Sequence, residues 1–138
     1  MITHSHQIRV YFEDTDAGGV MYHAAYLGFA ERARTEALRD AGLPHATMLR
    51  EHGVMFMVRR LDLEYLRPAR LDDLLTIRTE TLSGTGATVT LRQAFFVEET
   101  EIAGARVMLA CVKAATGVPA RIPQAWRRAL SPAMPACL

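Results

Sequence analysis

One long stretch of helical periodicity stands in this chain, and the residues beyond it read mostly as strand. Over residues 23–41, Tyr26, Ala30, Ala33, Ala37 and Ala41 recur at helical spacing, flanked by Leu27 and Leu38. That spacing puts them on one face of an α-helix. Glu31, Arg32, Arg34, Glu36, Arg39 and Asp40 fill the other faces, and Gly42 followed by Pro44 stops the helix. Gly28 inside it costs about 1 kcal/mol against alanine. The stripe of small side chains matters more. It lets a helix approach a sheet closely, so the expectation is a helix packed tightly beneath one.

The strands can be read around that helix. Residues 7–13 alternate, with Ile8, Val10 and Phe12 on one face and Arg9, Tyr11 and Glu13 on the other, the pattern of a half-buried strand. Residues 45–52 suggest a short second helix closed by Gly53. In 54–66, Val54, Phe56 and Val58 are even, whereas Leu61, Leu63 and Tyr65 are odd. The phase flips at Arg59–Arg60, which suggests a bulge or a strand covered on both faces. After a turn at Pro68 come strand-like runs 74–82, 87–98 and 102–115, separated by turns at Ser83–Gly86 and Glu99–Glu101. Such short turns make antiparallel hairpins. The segment 119–132 suggests one helical turn around Trp126, with a loose tail after it. A strand, a long helix and then about four antiparallel strands make an α+β layer architecture, one curved sheet on one helix. One helix cannot cover both faces of the sheet, so oligomerisation is expected, to hide apolar surface or an open edge.

Composition bounds the rest. With 138 residues, half of them apolar, the chain has room for one domain, taken as 1–138. Sixteen basic and 15 acidic side chains give a net charge of +1, which argues against nucleic acid as the main partner. No apolar run is long enough to suggest a membrane span. No basic segment followed by an apolar core marks a secretory signal at the N-terminus. Cys111 and Cys137 form no CxxC pair, so neither a zinc ribbon nor a redox motif is supported. A reducing, cytoplasmic location is the default.

The chemistry concentrates in Glu13–Phe29, EDTDAGGVMYHAAYLGF. Gly18 and Gly19 let backbone approach a ligand closely. The first turn of the helix presents unpaired N–H groups and a partial positive charge, where an oxyanion or polarised carbonyl can sit. Asp16 lies just upstream and could attack that carbonyl or activate a water beside it. His23, seven residues after Asp16, could face the same atom with its amide, its side chain or both. The plainer alternative stays open: an Asp before a helix is often a cap or turn former. Asp14–Thr15 is read as shaping the turn.

The run DTDAGGVMYHAAYLGFAERARTEALRDAG resembles the active-site segment of the 4-hydroxybenzoyl-CoA thioesterase family, nearest its acyl-CoA thioesterase branch associated with the Tol–Pal system. A second block, MVRRLDLEYLRPARLDDLLTIRTE, resembles the same branch. With the segment between them the two cover Tyr11 to about Glu80. The resemblance implies a hotdog fold, a long central helix wrapped by a curved antiparallel sheet. It implies a dimer that joins two sheets, often paired again into a tetramer, with sites at the dimer interface. The implied activity is hydrolysis of acyl-CoA thioesters without metal or organic cofactor. Asp16 matches the family's catalytic aspartate, a nucleophile or general base. His23 matches a position whose backbone amide polarises the thioester carbonyl. Gly19, Val20 and Tyr22 are expected to line the reaction centre. Lys113 departs from the family, whose members often carry an acidic or polar residue there.

Other residues are weaker candidates. Glu31 is a rival carboxylate, read first as a helix-face charge paired with Arg34 or solvent. His4 and His6 could bind a metal but are read as a frayed terminus, and His45 and His52 as ordinary helix residues. Arg59, Arg60, Arg67, Arg70 and Arg121 could meet CoA phosphates, because guanidinium matches phosphate well. Met55, Met57 and Met108 are read as core, or as an adaptable acyl pocket. No GxSxG motif is present. Two rival functions remain, another hotdog enzyme such as an enoyl-thioester hydratase, and a non-catalytic subunit that binds acyl-CoA or acyl carrier protein.

Overall fold

The computed structural model describes residues 1–131; the end of the expected tail and Cys137 lie outside them. The elements are β1 (Thr3–Arg9), a 3-10 turn (Phe12–Asp14), α1 (Ala25–Asp40), α2 (His45–His52), β2 (Val54–Tyr65), β3 (Leu74–Gly84), β4 (Thr88–Val97), β5 (Thr100–Lys113) and α3 (Gln124–Leu130). The strands form one sheet in the order β1-β3-β4-β5-β2. Every neighbouring pair is antiparallel. This is the α+β hotdog architecture, with α1 on one face of the sheet.

The alanine stripe does what its spacing suggests. Tyr26, Phe29, Ala30, Ala33, Ala37 and Leu38 of α1 are buried in one cluster with Leu75, Ile77, Leu91, Phe95 and Val107 of the sheet. Only Ala41 falls away, as the exposed residue that ends the helix. A polar clamp sits inside this interface. Gln93 is fully buried. Its Nε2 donates to the Ala30 carbonyl (2.9 Å) and to Thr79 Oγ1 (3.0 Å), and its Oε1 accepts from Arg34 Nη1 (3.0 Å). The side chain thus satisfies itself in the core while pinning the middle of α1 to β3 and β4.

Two expectations need correction. The first strand covers Thr3–Arg9 rather than 7–13. It ends where Val10 exchanges backbone bonds with the Asp72–Asp73 segment. Asp14 then accepts the Tyr11 N–H (2.8 Å) and closes the 3-10 turn. Phe12 is therefore 81% exposed instead of sharing a buried face with Val10. His4 and His6 are accordingly strand residues paired with β3, not a frayed end; His4 Nε2 and Asp40 Oδ2 lie 2.7 Å apart. The second correction concerns methionine. Met55 and Met57 lie on the open edge strand β2 and are 40% and 46% exposed, so they are not core.

The register shift between Val58 and Arg60 is the bulge that the phase flip suggested. At the C-terminal end, α3 is a full seven residues. It seats buried Trp126, whose indole N–H donates to the Leu43 carbonyl (3.2 Å). The face of the sheet away from α1 is not bare. Cross-strand register lines up Glu80, Arg92, Arg106 and Asp62 in one charged row. Exposed apolar surface gathers instead at the β2 edge, on Met55, Met57 and Val58. No helix among the described residues is long and apolar enough to cross a membrane.

Candidate active site

The segment ahead of α1 is a small hairpin closed by an Asp–Gly turn. Asp16 N–H donates to the Val20 carbonyl and Gly19 N–H to the Asp16 carbonyl, both at 3.0 Å. The carboxylate of Asp16 folds over the turn, its Oδ1 accepting the Gly18 N–H at 2.8 Å. Both glycines are needed for this shape. A Cβ on Gly18 would stand 3.1 Å from Asp16 Oδ1, and Gly19 has φ +78°, a left-handed conformation that costs other residues energy. The turn form read for this segment is therefore correct, and it leaves the second carboxylate oxygen of Asp16 outside the hairpin's own bonding.

The hairpin is fastened at its base. Thr15 bridges Met21 and Val20 bridges Arg70. Met21 N–H donates to the Ala69 carbonyl and Tyr22 N–H to the Asp14 carbonyl, each at 2.8 Å. Asp14 thus shapes the loop with both its side chain and its backbone. Buried Met21 anchors the segment, while Asp16, Gly19, Tyr22 and His23 stay exposed and Val20 half-buried. The structure brings Asp16, Gly19 and Val20 together in the turn. It places Tyr22 and His23 in the step from the hairpin into the helix, with their rings 4.6 Å apart. Helix α1 begins at Ala25, two residues later than expected, because Ala25 N–H bonds back to the Tyr22 carbonyl. No side chain caps this helix start, and its first turn holds no acidic residue. Its amide dipoles are therefore not neutralised locally.

Two tyrosines that the sequence pattern read only as helix and strand residues hold this start in place. Tyr65 at the end of β2 donates its hydroxyl to the His23 carbonyl at 2.6 Å. Its ring meets Tyr26 edge-on at 5.0 Å. Tyr26 in turn accepts the Ala69 N–H at 3.3 Å. Loss of water around both hydroxyls pushes their pKa above the ordinary phenol value, so Tyr65 stays a donor. The only advance signal was that Tyr65 and Ala69 fall within the second family-like block.

The other candidates lie apart from this segment. Glu31 and His45 line a cavity of about 430 Å³ between α1, α2 and β2, and Arg34 points into it as well. Glu31 forms no ion pair with Arg34 among the described residues. His52 packs edge-on against Trp126. Arg60 pairs with Asp62 at 3.5 Å, and Arg59, Arg67, Arg70 and Arg121 are exposed. Among the described residues no group of three or more His, Cys, Asp or Glu is arranged to hold a metal ion.

A hotdog sheet with an aspartate turn leading into an open helix start defines a class, and comparison with known proteins agrees with it. The profile of the thioesterase-like superfamily matches residues 10–130. The chain belongs to that superfamily and is an enzyme of the thioester hydrolase class. It is 43% identical over 120 residues to the "Acyl-CoA thioesterase YbgC" of Haemophilus influenzae, covering 87% of this chain and 88% of that protein. It is 44% identical over 118 residues to the "Acyl-CoA thioester hydrolase YbgC" of Escherichia coli O6:H1, covering 85% and 87%. Among solved structures, "Probable Thioesterase from Bartonella henselae" superposes with a TM-score of 0.83 at 38% identity, covering 88% of this chain and 99% of that one.

Proposed function

We propose that this protein is an acyl-CoA thioesterase that hydrolyses acyl-CoA to a free acid and CoA, with Asp16 as nucleophile or general base. The observation that carries this reading is an Asp16 turn in a hairpin that Tyr22 N–H closes on the Asp14 carbonyl, just ahead of an uncapped helix start. A thioester carbonyl placed over the first amides of α1 has its oxygen polarised by their dipoles. The amide at His23, at the step into the helix, is the one assigned to that oxygen. Asp16 then attacks the carbonyl carbon or takes a proton from a water that does. Either way a C–O bond forms, the C–S bond breaks and the thiolate of CoA leaves; attack by water gives the free acid directly, whereas attack by Asp16 gives an acyl-aspartyl anhydride that a water then hydrolyses to the free acid and the regenerated carboxylate. Thiolate is a good leaving group, so one carboxylate and a preorganised dipole suffice. Gly19, Val20 and Tyr22 flank the reacting centre, and the Gly18 N–H bond fixes the Asp16 rotamer. The reaction so drawn requires no metal and no organic cofactor. A homo-oligomer joined through the β2 edge fits the exposed apolar strip there and would bring a second subunit up to each site.

The test is thiol release from short, long and aromatic acyl-CoAs by the parent and by Asp16→Asn. Turnover that falls by about a hundredfold or more in a folded variant supports the assignment. Turnover that survives the substitution removes Asp16 from the chemistry. No thiol release from any member would sink the acyl-CoA reading and favour a carrier-protein substrate or a binding role.

A further inference from the structure

The step into α1 holds two backbone donors rather than one. Ala25 N–H bonds back to the Tyr22 carbonyl at 2.9 Å, so His23 and Ala24 are the central residues of that turn. Ala24 has φ −76° and ψ −19°. Among the described residues neither the His23 N–H nor the Ala24 N–H has an acceptor. The Ala24 N–H shares its peptide unit with the His23 carbonyl, and that carbonyl is engaged from outside the segment. No backbone N–H among the described residues donates to it. The Tyr65 hydroxyl does, at 2.6 Å. A peptide's C=O and N–H are one conjugated unit. A donor on the oxygen therefore makes the N–H more positive, strengthening its own hydrogen bonds by about 10–30%. The same contact restrains the peptide plane and so the direction of the N–H. Tyr65 is itself firmly held. Its backbone pairs with Ala103 in the β2–β5 ladder, and its ring meets buried Tyr26 edge-on at 5.0 Å.

We propose that Tyr65 is a positioning residue for the hydrolysis, acting through the His23–Ala24 peptide so that the Ala24 N–H joins the His23 N–H on the thioester oxygen. This rests on the hydrolytic reading and adds a second donor to it. As the carbonyl carbon is attacked its oxygen gains charge, and two fixed donors stabilise that oxygen better than one. A water in place of the hydroxyl would meet the His23 carbonyl without fixing the peptide plane. The gain grows with the charge, so it belongs to the transition state more than to the bound substrate. Loss of the hydroxyl should accordingly appear in kcat and not in KM. A residue that only stabilised the fold would lower the melting temperature and leave the kcat of folded protein unchanged.

Tyr65→Phe keeps the ring against Tyr26 and deletes the donor. Its kcat on the acyl-CoA that the parent hydrolyses fastest should fall about tenfold, with KM within about twofold of the parent. A second readout needs no turnover. The probe is a CoA thioether ketone, with a CH2 between sulfur and an isotope-labelled carbonyl. Its C=O stretch should fall in frequency on binding to the parent and to Asp16→Asn, and fall less on binding to Tyr65→Phe. If Tyr65→Phe does not fold, Tyr65→3-fluorotyrosine carries the test. Its more acidic phenol is a stronger donor, so the ketone stretch should fall further than in the parent. The proposal is overturned if Tyr65→Phe keeps the parent kcat, if the loss lies in KM, or if neither substitution moves the ketone stretch. With Asp16→Asn still inactive, those outcomes leave the hydrolytic reading standing. If the parent releases no thiol, the hydrolytic reading fails, and the ketone stretch alone decides whether Tyr65 governs the grip of these amides on a carbonyl oxygen.

Discussion

At the scale of single residues, the two glycines of the Asp16 turn have different jobs and separable consequences. Gly19 answers a backbone demand, since its φ is +78° and nothing lies within 4 Å of a Cβ placed there. Gly19→Ala should therefore lower stability by about 1 kcal/mol, seen as a shift in the urea midpoint. Gly18 answers a side-chain demand, because a Cβ there would crowd Asp16 Oδ1 at 3.1 Å. Gly18→Ala should reduce thioesterase turnover more than stability, the reverse of its neighbour, which paired kcat and melting measurements would reveal. His45 makes a different kind of prediction. Burial holds its folded pKa below the unfolded value of 6.5. The unfolded chain then binds more protons as pH falls, so stability is full above about 6.5 and drains away as pH drops through the folded pKa. His45→Gln should flatten that part of the acid limb of a melting-temperature profile.

At the scale of elements, the clamp through Gln93 joins the middle of α1 to β3 and β4. Gln93→Leu keeps the volume but strips Arg34 of its partner and leaves Thr79 Oγ1 with one bond fewer. The expected loss is about 1–3 kcal/mol in urea unfolding, with no change in m-value. Elements whose signals are local were legible in advance. Helix α2 runs from His45 to His52 as expected because Pro44 and Gly53 bracket it, the latter in a left-handed conformation. The bulge in β2 announced itself as a phase flip, and the Asp16 turn as a run of Asp and Gly. Signals that arise across the chain were not legible. The strand Thr3–Arg9 begins in polar residues whose partners are Thr76–Glu80. Phe12 alternates correctly but is turned out by the side chain of Asp14. The support that Tyr65 gives to His23, 42 residues away, leaves no trace in either local pattern. Nor does the meeting of Arg34 with Gln93, 59 residues apart.

At the scale of the whole molecule, the two faces of the sheet and its edges are treated differently. One face is filled by α1, the other carries the row Glu80, Arg92, Arg106 and Asp62, and β2 is left open with Met57 and Val58 exposed. An unpaired, apolar edge strand is a template for another strand. If copies join through the β2 edge as proposed, Met57→Lys should shift the protein toward monomer in sedimentation velocity, with the fold of the chain preserved. The strand order also bears on time rather than energy. Strand β1 belongs to β3, and Ile2 is bonded to Thr81, 79 residues along. During synthesis the first strand to emerge has no partner until more than half the chain has been made. Loop closure over such distances is slow, so folding in the range of about milliseconds to seconds is expected. The N-terminal strand spends that interval as bare edge, and its polar sequence, Thr-His-Ser-His-Gln, suits a segment that must wait in water without aggregating.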